Sequence, residues 1–346
     1  MGWFHRGGGG FVFRDYGVAP AGRVENALPT RPLGTFGKGA WGMFGQCREI
    51  RRRDFLRLAA GAAVAGGAGL WALRTAEAAS SGGCVPGAKI GIQLYSVRDQ
   101  MARDAVATVA AIAEIGYAEV EFAGLYGRTA EQWRRTLREL GLRAPSSHDD
   151  LLGGDARQIL ENARTLGQRW VIQPYYRGGT LDDYRRVAER LNEVGELGRP
   201  YGIKAGYHNH AHEFEPMEGS FPYAVLLEET DPRLVDMELD LYWAIEGYYT
   251  YGNPDARPLA LFERAPRRFR LFHVKDGFPS RPGVQFADVG EGEIDFAPIF
   301  AARELSGVEH YHTERDDAPS DPEGSLGSAQ DMYDNLVAEY GAGSRR

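Results

Sequence analysis

The feature that most constrains this chain is a regular alternation of strand-like and helix-like segments from Lys89 to the end. Lys89-Ile-Gly-Ile-Gln-Leu-Tyr95 reads as a strand, and Asp104 to Ile115 as an amphipathic helix closed by Gly116. Tyr117–Phe122, Leu142–Ser147 and Trp170–Pro174 read as the next three strands. Between them, Thr129-Ala-Glu-Gln132 is a capping-box pattern that opens a helix ending at Gly141, and a further helix runs from Asp155 to Leu166. Thr180-Leu-Asp-Asp183 opens a long helix to about Leu197. Four more strands follow, with helices expected over 222–229, 255–264 and 296–305 and a last one over 325–339. Such units joined by short connections predict a parallel sheet. Eight of them in 258 residues predict an α/β fold closed as a single (β/α)8 TIM barrel. A doubly wound sheet would need a Gly-rich phosphate turn after its first strand, and Tyr95-Ser-Val-Arg98 is not one.

The last four strands end alike. In Lys204-Ala-Gly-Tyr-His-Asn-His210, His208 and His210 share a face, because side chains two apart in a strand point the same way. Val235, Met237 and Leu239 alternate with Asp236, Glu238 and Asp240. Phe269–Asp276 brings out His273 with Lys275, and Val308–Glu314 brings out His310, His312 and Glu314. Barrel enzymes keep their chemistry at this rim. One residue from each strand, His208, Asp240, His273 and Glu314, makes a candidate metal set. Its two imidazoles and two carboxylates suit a divalent metal ion such as Mn, Zn, Co or Fe better than Ca. Glu314, His210, Lys275 and Glu238 are the candidate acid–base groups. A desolvated lysine can lose its proton readily, whereas one paired with Glu238 or Asp240 keeps it. Gln93 and Tyr95 on the first strand, Glu121 on the second, His148 on the third and Trp243 after the sixth are candidate substrate contacts. His212 and His310 read as structural. Glu246–Pro254 reads as a loop whose tyrosines either pack on the surface or form an aromatic wall for a sugar ring.

The front of the chain differs. Residues 1–42 are rich in Gly and aromatics without periodicity, and no packed structure is expected there; Met43 is a plausible true start. Arg51-Arg-Arg-Asp-Phe-Leu-Arg57, the apolar run Leu58–Leu73 and Ala76-Glu-Ala78 form a signal peptide over 43–78, with 79–88 as linker to the domain 89–346. The core Arg52-Arg53-Asp54-Phe55-Leu56 resembles a twin-arginine export signal, implying the twin-arginine export machinery as a partner and a periplasmic or otherwise exported protein. The apolar run is too short to span a bilayer. Residues 1–78 hold eleven Lys/Arg against five Asp/Glu, so the overall −8 becomes −14 after cleavage. That acidity argues against nucleic acid, and against an anionic membrane once the signal is removed. Cys84 alone would remain, which excludes an intrachain disulfide.

From Lys89 to Tyr340 the chain resembles the xylose isomerase-like sugar phosphate isomerase/epimerase family of TIM barrels. The resemblance rests on Gly91-Ile-Gln-Leu-Tyr-Ser-Val-Arg98, Gly116-Tyr-Ala-Glu-Val-Glu121, Ser146-Ser-His148, Tyr207-His-Asn-His210, Leu239-Asp-Leu-Tyr-Trp243, His273-Val-Lys-Asp276 and Thr313-Glu-Arg-Asp316. It implies a cation held by four residues from the last four strands, of which Asp240, His273 and Glu314 match the family and His208 stands where its epimerases have Glu. It also implies a small-molecule sugar substrate and a metal-dependent isomerase or epimerase working through an ene-diolate; with an export signal and no Gly-rich anion cradle, the expected substrate is a non-phosphorylated sugar or keto-sugar. A lyase or hydratase acting on 3-keto-glycosides, and a non-catalytic sugar-binding barrel, are the alternatives.

Overall fold

The computed structural model describes residues 2–6, 10–14, 85–319 and 324–341. At the front, Gly2–Arg6 pairs antiparallel with Gly10–Arg14, a regular feature that the aperiodic composition does not predict. Residues 43–78, expected to be a signal peptide, lie outside the described residues.

The main unit is the expected barrel. Its strands are β1 (Ile90–Gln93), β2 (Glu119–Glu121), β3 (Ser146–His148), β4 (Trp170–Gln173), β5 (Lys204–His208), β6 (Val235–Asp240), β7 (Phe269–Val274) and β8 (His310–Thr313). All pair in parallel, and β8 returns to β1 through Tyr311↔Ile90 and Thr313↔Ile92. The seam between β2 and β3 is thinner, held by Val120 N–H to the Arg143 carbonyl (2.8 Å) and His148 N–H to the Phe122 carbonyl (2.7 Å).

Around the strands lie α1 (Arg98–Ile115), α2 (Ala130–Leu140), α3 (Ala156–Leu166), α4 (Leu181–Gly198), α5 (Pro222–Glu229), α6 (Leu241–Tyr251), α7 (Pro258–Arg264), α8 (Ala297–Ala301), α9 (Arg303–Ser306) and α10 (Gly324–Tyr340). The Thr129 capping box at α2 is present, with Gln132 answering the cap, and Thr180 with Asp183 does the same for α4. Two expectations are corrected. The segment from Glu246 onward is not a loop: α6 runs to Tyr251, because the Asp240 carboxylate accepts the Trp243 N–H (2.9 Å) and starts the helix directly at the strand end. Its Tyr248 and Tyr249 face a groove with Ile245, Arg257, Leu259 and Ile299 in the helical layer, not the strand-end residues. The helix expected over 296–305 is two short ones meeting at Ala302.

Alternation along each strand divides the core in two. Outward residues such as Ile92, Val120, Val171, Met237, Leu239 and Phe272 join Ile112, Trp133, Leu137, Leu160 and Leu191 of the helices in one apolar shell. Each fully buried side chain of this kind contributes about 1.5–3 kcal/mol. The barrel interior is different: its apolar cluster comprises only Trp170, Ile172 and Leu271 among the described residues. The remaining inward positions are polar or glycine. Gly91 is one, and a Cβ there would stand 2.5 Å from the His312 ring and 3.0 Å from Glu119 Cβ. Gly91→Ala is therefore expected to cost about 1–3 kcal/mol by overpacking, read as a lowered midpoint of thermal unfolding.

Candidate active site at the strand ends

Seven of the chain's eight histidines lie in the barrel domain, at 148, 208, 210, 212, 273, 310 and 312. The strands sort them by height. At the N-terminal end of the barrel His310 Nδ1 bonds Glu119 Oε2 (2.6 Å), while Trp170 Nε1 and Lys204 Nζ donate to Asp236 (2.9 and 3.1 Å). These pairs close the floor. His212 Nε2 reaches the Tyr176 carbonyl (2.7 Å) outside the barrel interior.

Higher up, two fully buried carboxylates organise the imidazoles. Glu238 Oε2 meets His148 Nε2 at 2.6 Å, His208 Nδ1 at 3.1 Å and His273 Nε2 at 3.2 Å. Glu121 Oε2 meets His273 Nε2 at 2.6 Å and accepts from Gln93 Nε2 at 2.8 Å. A histidine that gives one nitrogen to a carboxylate offers the other to a metal. His208 then turns Nε2 toward Asp240 Oδ2 (3.8 Å), and His273 turns Nδ1 toward Glu314 Oε2 (2.6 Å). The donor atoms of His208, Asp240, His273 and Glu314 all lie within 4.8 Å of one another, and all four residues are buried. This buried His/Asp/Glu set has the donors and the compactness to hold a divalent cation.

Asp240 is fixed from two sides. Besides capping α6, its main chain is clasped by Asn209, whose Oδ1 accepts the Asp240 N–H (3.0 Å) and whose Nδ2 donates to the Asp240 carbonyl (3.3 Å). Burial, eased by Lys275, pushes the Asp240 carboxyl up to about 6. Lys275 Nζ lies 3.0 Å from Asp240, 2.8 Å from Glu314 and 3.1 Å from Asp316. Burial works against its charge, but the three carboxylates prevail and hold it well above the ordinary lysine range. Of the two readings of Lys275, the geometry matches the ion-paired one, with Asp240 among its partners and Glu238 not.

His210 takes the opposite state. Burial, reinforced by His208, His212 and Lys275, drives it well below the usual imidazole range, so it is neutral at pH 7. Its Nδ1 is buried without a hydrogen-bond partner among the described residues, and its ring lies 5.4 Å from Trp243 and 5.1 Å from Tyr175. Trp243 also packs edge-on to Phe286 (5.5 Å), while the Lys275 ammonium lies 5.6 Å from the Trp243 ring centre. Phe286 arrives on a short hairpin (Asp276–Gly277 with Phe286–Ala287) pinned by the Asp276 carboxylate, which accepts the N–H groups of Gly277, Gly290, Gly292 and Ile294. Tyr95 is beside Arg98, whose guanidinium sits 4.1 Å from its ring centre. The rim above the carboxylates thus carries Trp243, Phe286 and His210.

Sequence reasoning assigned no role to His312, Asn209, Phe286 or Asp316. His312 is fully buried, 3.6 Å from Glu121 Oε2 and 3.9 Å from Glu238 Oε1. Burial lowers it, but those carboxylates raise it to about 9. A group raised on folding contributes stability that is complete below its unfolded value near 6.5 and is lost as pH rises through about 9. Chelator-treated protein should therefore lose on the order of 3 kcal/mol across that window. His312→Gln should flatten the decline in thermal midpoints measured against pH.

Residues 109–313 match the xylose isomerase-like TIM barrel family, and the chain belongs to it. An inosose dehydratase of Geobacillus kaustophilus is 25% identical over 309 residues, covering 76% of this chain and 97% of that protein. A Clostridium perfringens inosose dehydratase is 27% identical over 159 residues, half of its own length. Among solved structures, a sugar phosphate isomerase/epimerase from Parabacteroides distasonis superposes with a TM-score of 0.59 at 26% identity, covering 72% of this chain and 94% of that one. The zinc-bound IolI protein shares the fold, with a TM-score of 0.55 at 13% identity.

Proposed function

We propose that the protein is a metal-dependent lyase that removes water or an alcohol from a non-phosphorylated keto-sugar or keto-cyclitol. The observation that carries this reading is the acid–base arrangement beside the candidate metal set. Epimerisation by two glutamates would need Glu where this chain has His208. Elimination needs one base and one acid, and the rim offers a neutral imidazole at His210 and a protonated ammonium at Lys275. The relative named inosose dehydratase, matched over 97% of its length, supports the same choice.

A divalent cation held by His208, Asp240, His273 and Glu314 would supply positive charge for the carbonyl oxygen while the neighbouring C–H bond breaks. His210 Nδ1 takes that proton, the C–H electron pair becomes the new C=C bond, and the β C–O bond breaks. Lys275 protonates the departing oxygen, so the leaving group is water or an alcohol. Glu314, held well below the usual carboxylate range by Lys275 and His273 against the effect of burial, stays ionised throughout. Trp243 and Phe286 present faces for the apolar side of the ring, and Gln93, Glu121 and His148 lie below.

Incubation with keto-cyclitols and 3-keto-glycosides in D₂O tests this reading. Loss of water or aglycone, with an unsaturated or deoxy-diketo product, is expected. Solvent deuterium in an epimer or isomer without elimination would instead establish isomerase chemistry, which the sugar phosphate isomerase/epimerase neighbour favours. We also place the activity outside the cytoplasm, on the twin-arginine pattern at Arg52 and Arg53. Replacing both by lysine should trap the precursor in the cytoplasm, seen on fractionation as uncleaved protein.

A further inference from the structure

Below the candidate metal set, the barrel holds four polar atoms that no hydrogen bond among the described residues satisfies. Glu121 Oε1, Glu238 Oε1 and both ring nitrogens of His312 are buried and have no hydrogen-bond partner. Each belongs to a side chain that is completely enclosed. Leaving one such group unsatisfied costs about 1–3 kcal/mol, more when it is charged. The two carboxylates cannot turn these oxygens elsewhere. Glu238 Oε2 is committed to His148 and His208, and Glu121 Oε2 to His273 and Gln93. Among the described residues no lysine or arginine reaches either carboxylate; their ion-pair neighbours are histidines alone. Space for the His312 ring is provided by Gly91, where any side chain would collide with it.

We propose that Glu121, Glu238 and His312 form a second divalent-cation site in the barrel interior, one layer beneath the strand-end set. Donor atoms of these three residues and of His273 lie within 4.8 Å of one another. One imidazole and two carboxylates suit Mn, Fe, Co or Zn. His273 separates the two layers, with Nε2 facing Glu121 and Glu238 and Nδ1 facing Glu314. A cation below accounts for the unsatisfied oxygens and for an imidazole set 3.6 Å from one carboxylate and 3.9 Å from the other, beyond hydrogen-bond length. Full enclosure means that it enters during folding and exchanges slowly. The site's existence does not depend on the lyase reading or on the upper cation.

The test is metal content per folded chain, using protein purified with its native metal and then dialysed against Mn²⁺, Co²⁺ or Zn²⁺ singly. Two equivalents are expected in the unmodified protein. One should be lost in His312→Gln, and a different one in Asp240→Asn. Anomalous diffraction from unmodified crystals at the absorption edge of the bound metal gives a readout that no folding defect of a variant affects. Two separate peaks along the barrel axis are expected, the upper beside Asp240 and the lower beside His312. A lower peak alone would uphold this site and remove the upper one. A single peak beside Asp240, with ordered water between Glu121, Glu238 and His312, would overturn the proposal while leaving the upper metal intact. No metal in either layer would overturn both.

Discussion

Asp240→Asn will abolish cation binding at the strand ends and lower turnover of a keto-sugar or keto-cyclitol by about 10³-fold or more. Asparagine is the informative replacement. Its side-chain oxygen can still accept the Trp243 N–H that opens α6, so the helix start and the Asn209 clasp survive. What disappears is the negative oxygen that faces His208 and Lys275. A metal acting on a carbonyl supplies several kcal/mol of charge stabilisation, and each 1.36 kcal/mol is about tenfold in rate. Metal analysis, turnover and circular dichroism on the same preparation separate this outcome from misfolding. Unchanged metal content and turnover in the variant would remove Asp240 from the site.

Glu238→Gln will have the second large effect, although Glu238 is not assigned to the upper metal set. One of its oxygens orients His148, His208 and His273 together. A neutral amide oxygen in that place has two lone pairs and no charge, so it holds three imidazoles more weakly than the carboxylate does. Losing a carboxylate that orients metal-bound histidines typically costs 10–100-fold in metal affinity. Removing one partner of a buried charged network also costs about 3–5 kcal/mol of stability. Isothermal titration with Zn²⁺ or Mn²⁺ and denaturant unfolding should show both losses. A variant that binds the upper cation as tightly as the unmodified protein would show that the histidines are oriented by packing alone.

Much of this was legible in the sequence, because strand periodicity and chain order suffice to bring strand ends together. His208, Asp240, His273 and Glu314 end four successive strands, and barrel closure makes them neighbours. The contents of the barrel interior were not legible. His312 sits two residues before Glu314 and looks like its companion, yet its environment comes from Glu121, on the far side of the β1 strand that adjoins it. Lys275 was ambiguous for a similar reason. Its charge is decided by Asp316, beyond the last strand, together with Asp240 and Glu314. The tyrosine-rich segment looked like a loop because Gly247 and Gly252 flank its aromatics. In the fold Gly247 lies inside α6 against Phe214, where a Cβ would come within 2.8 Å of the ring. Close packing, not a turn, accounts for that glycine.

The most direct test of the account is to strip the protein with a chelator, confirm that it remains folded, and titrate a divalent cation back while following elimination from a keto-cyclitol or 3-keto-glycoside. Turnover should be absent in the stripped protein and rise to a plateau as the cation is restored, in the unmodified chain but not in Asp240→Asn. Undiminished elimination by the folded, stripped protein would contradict it.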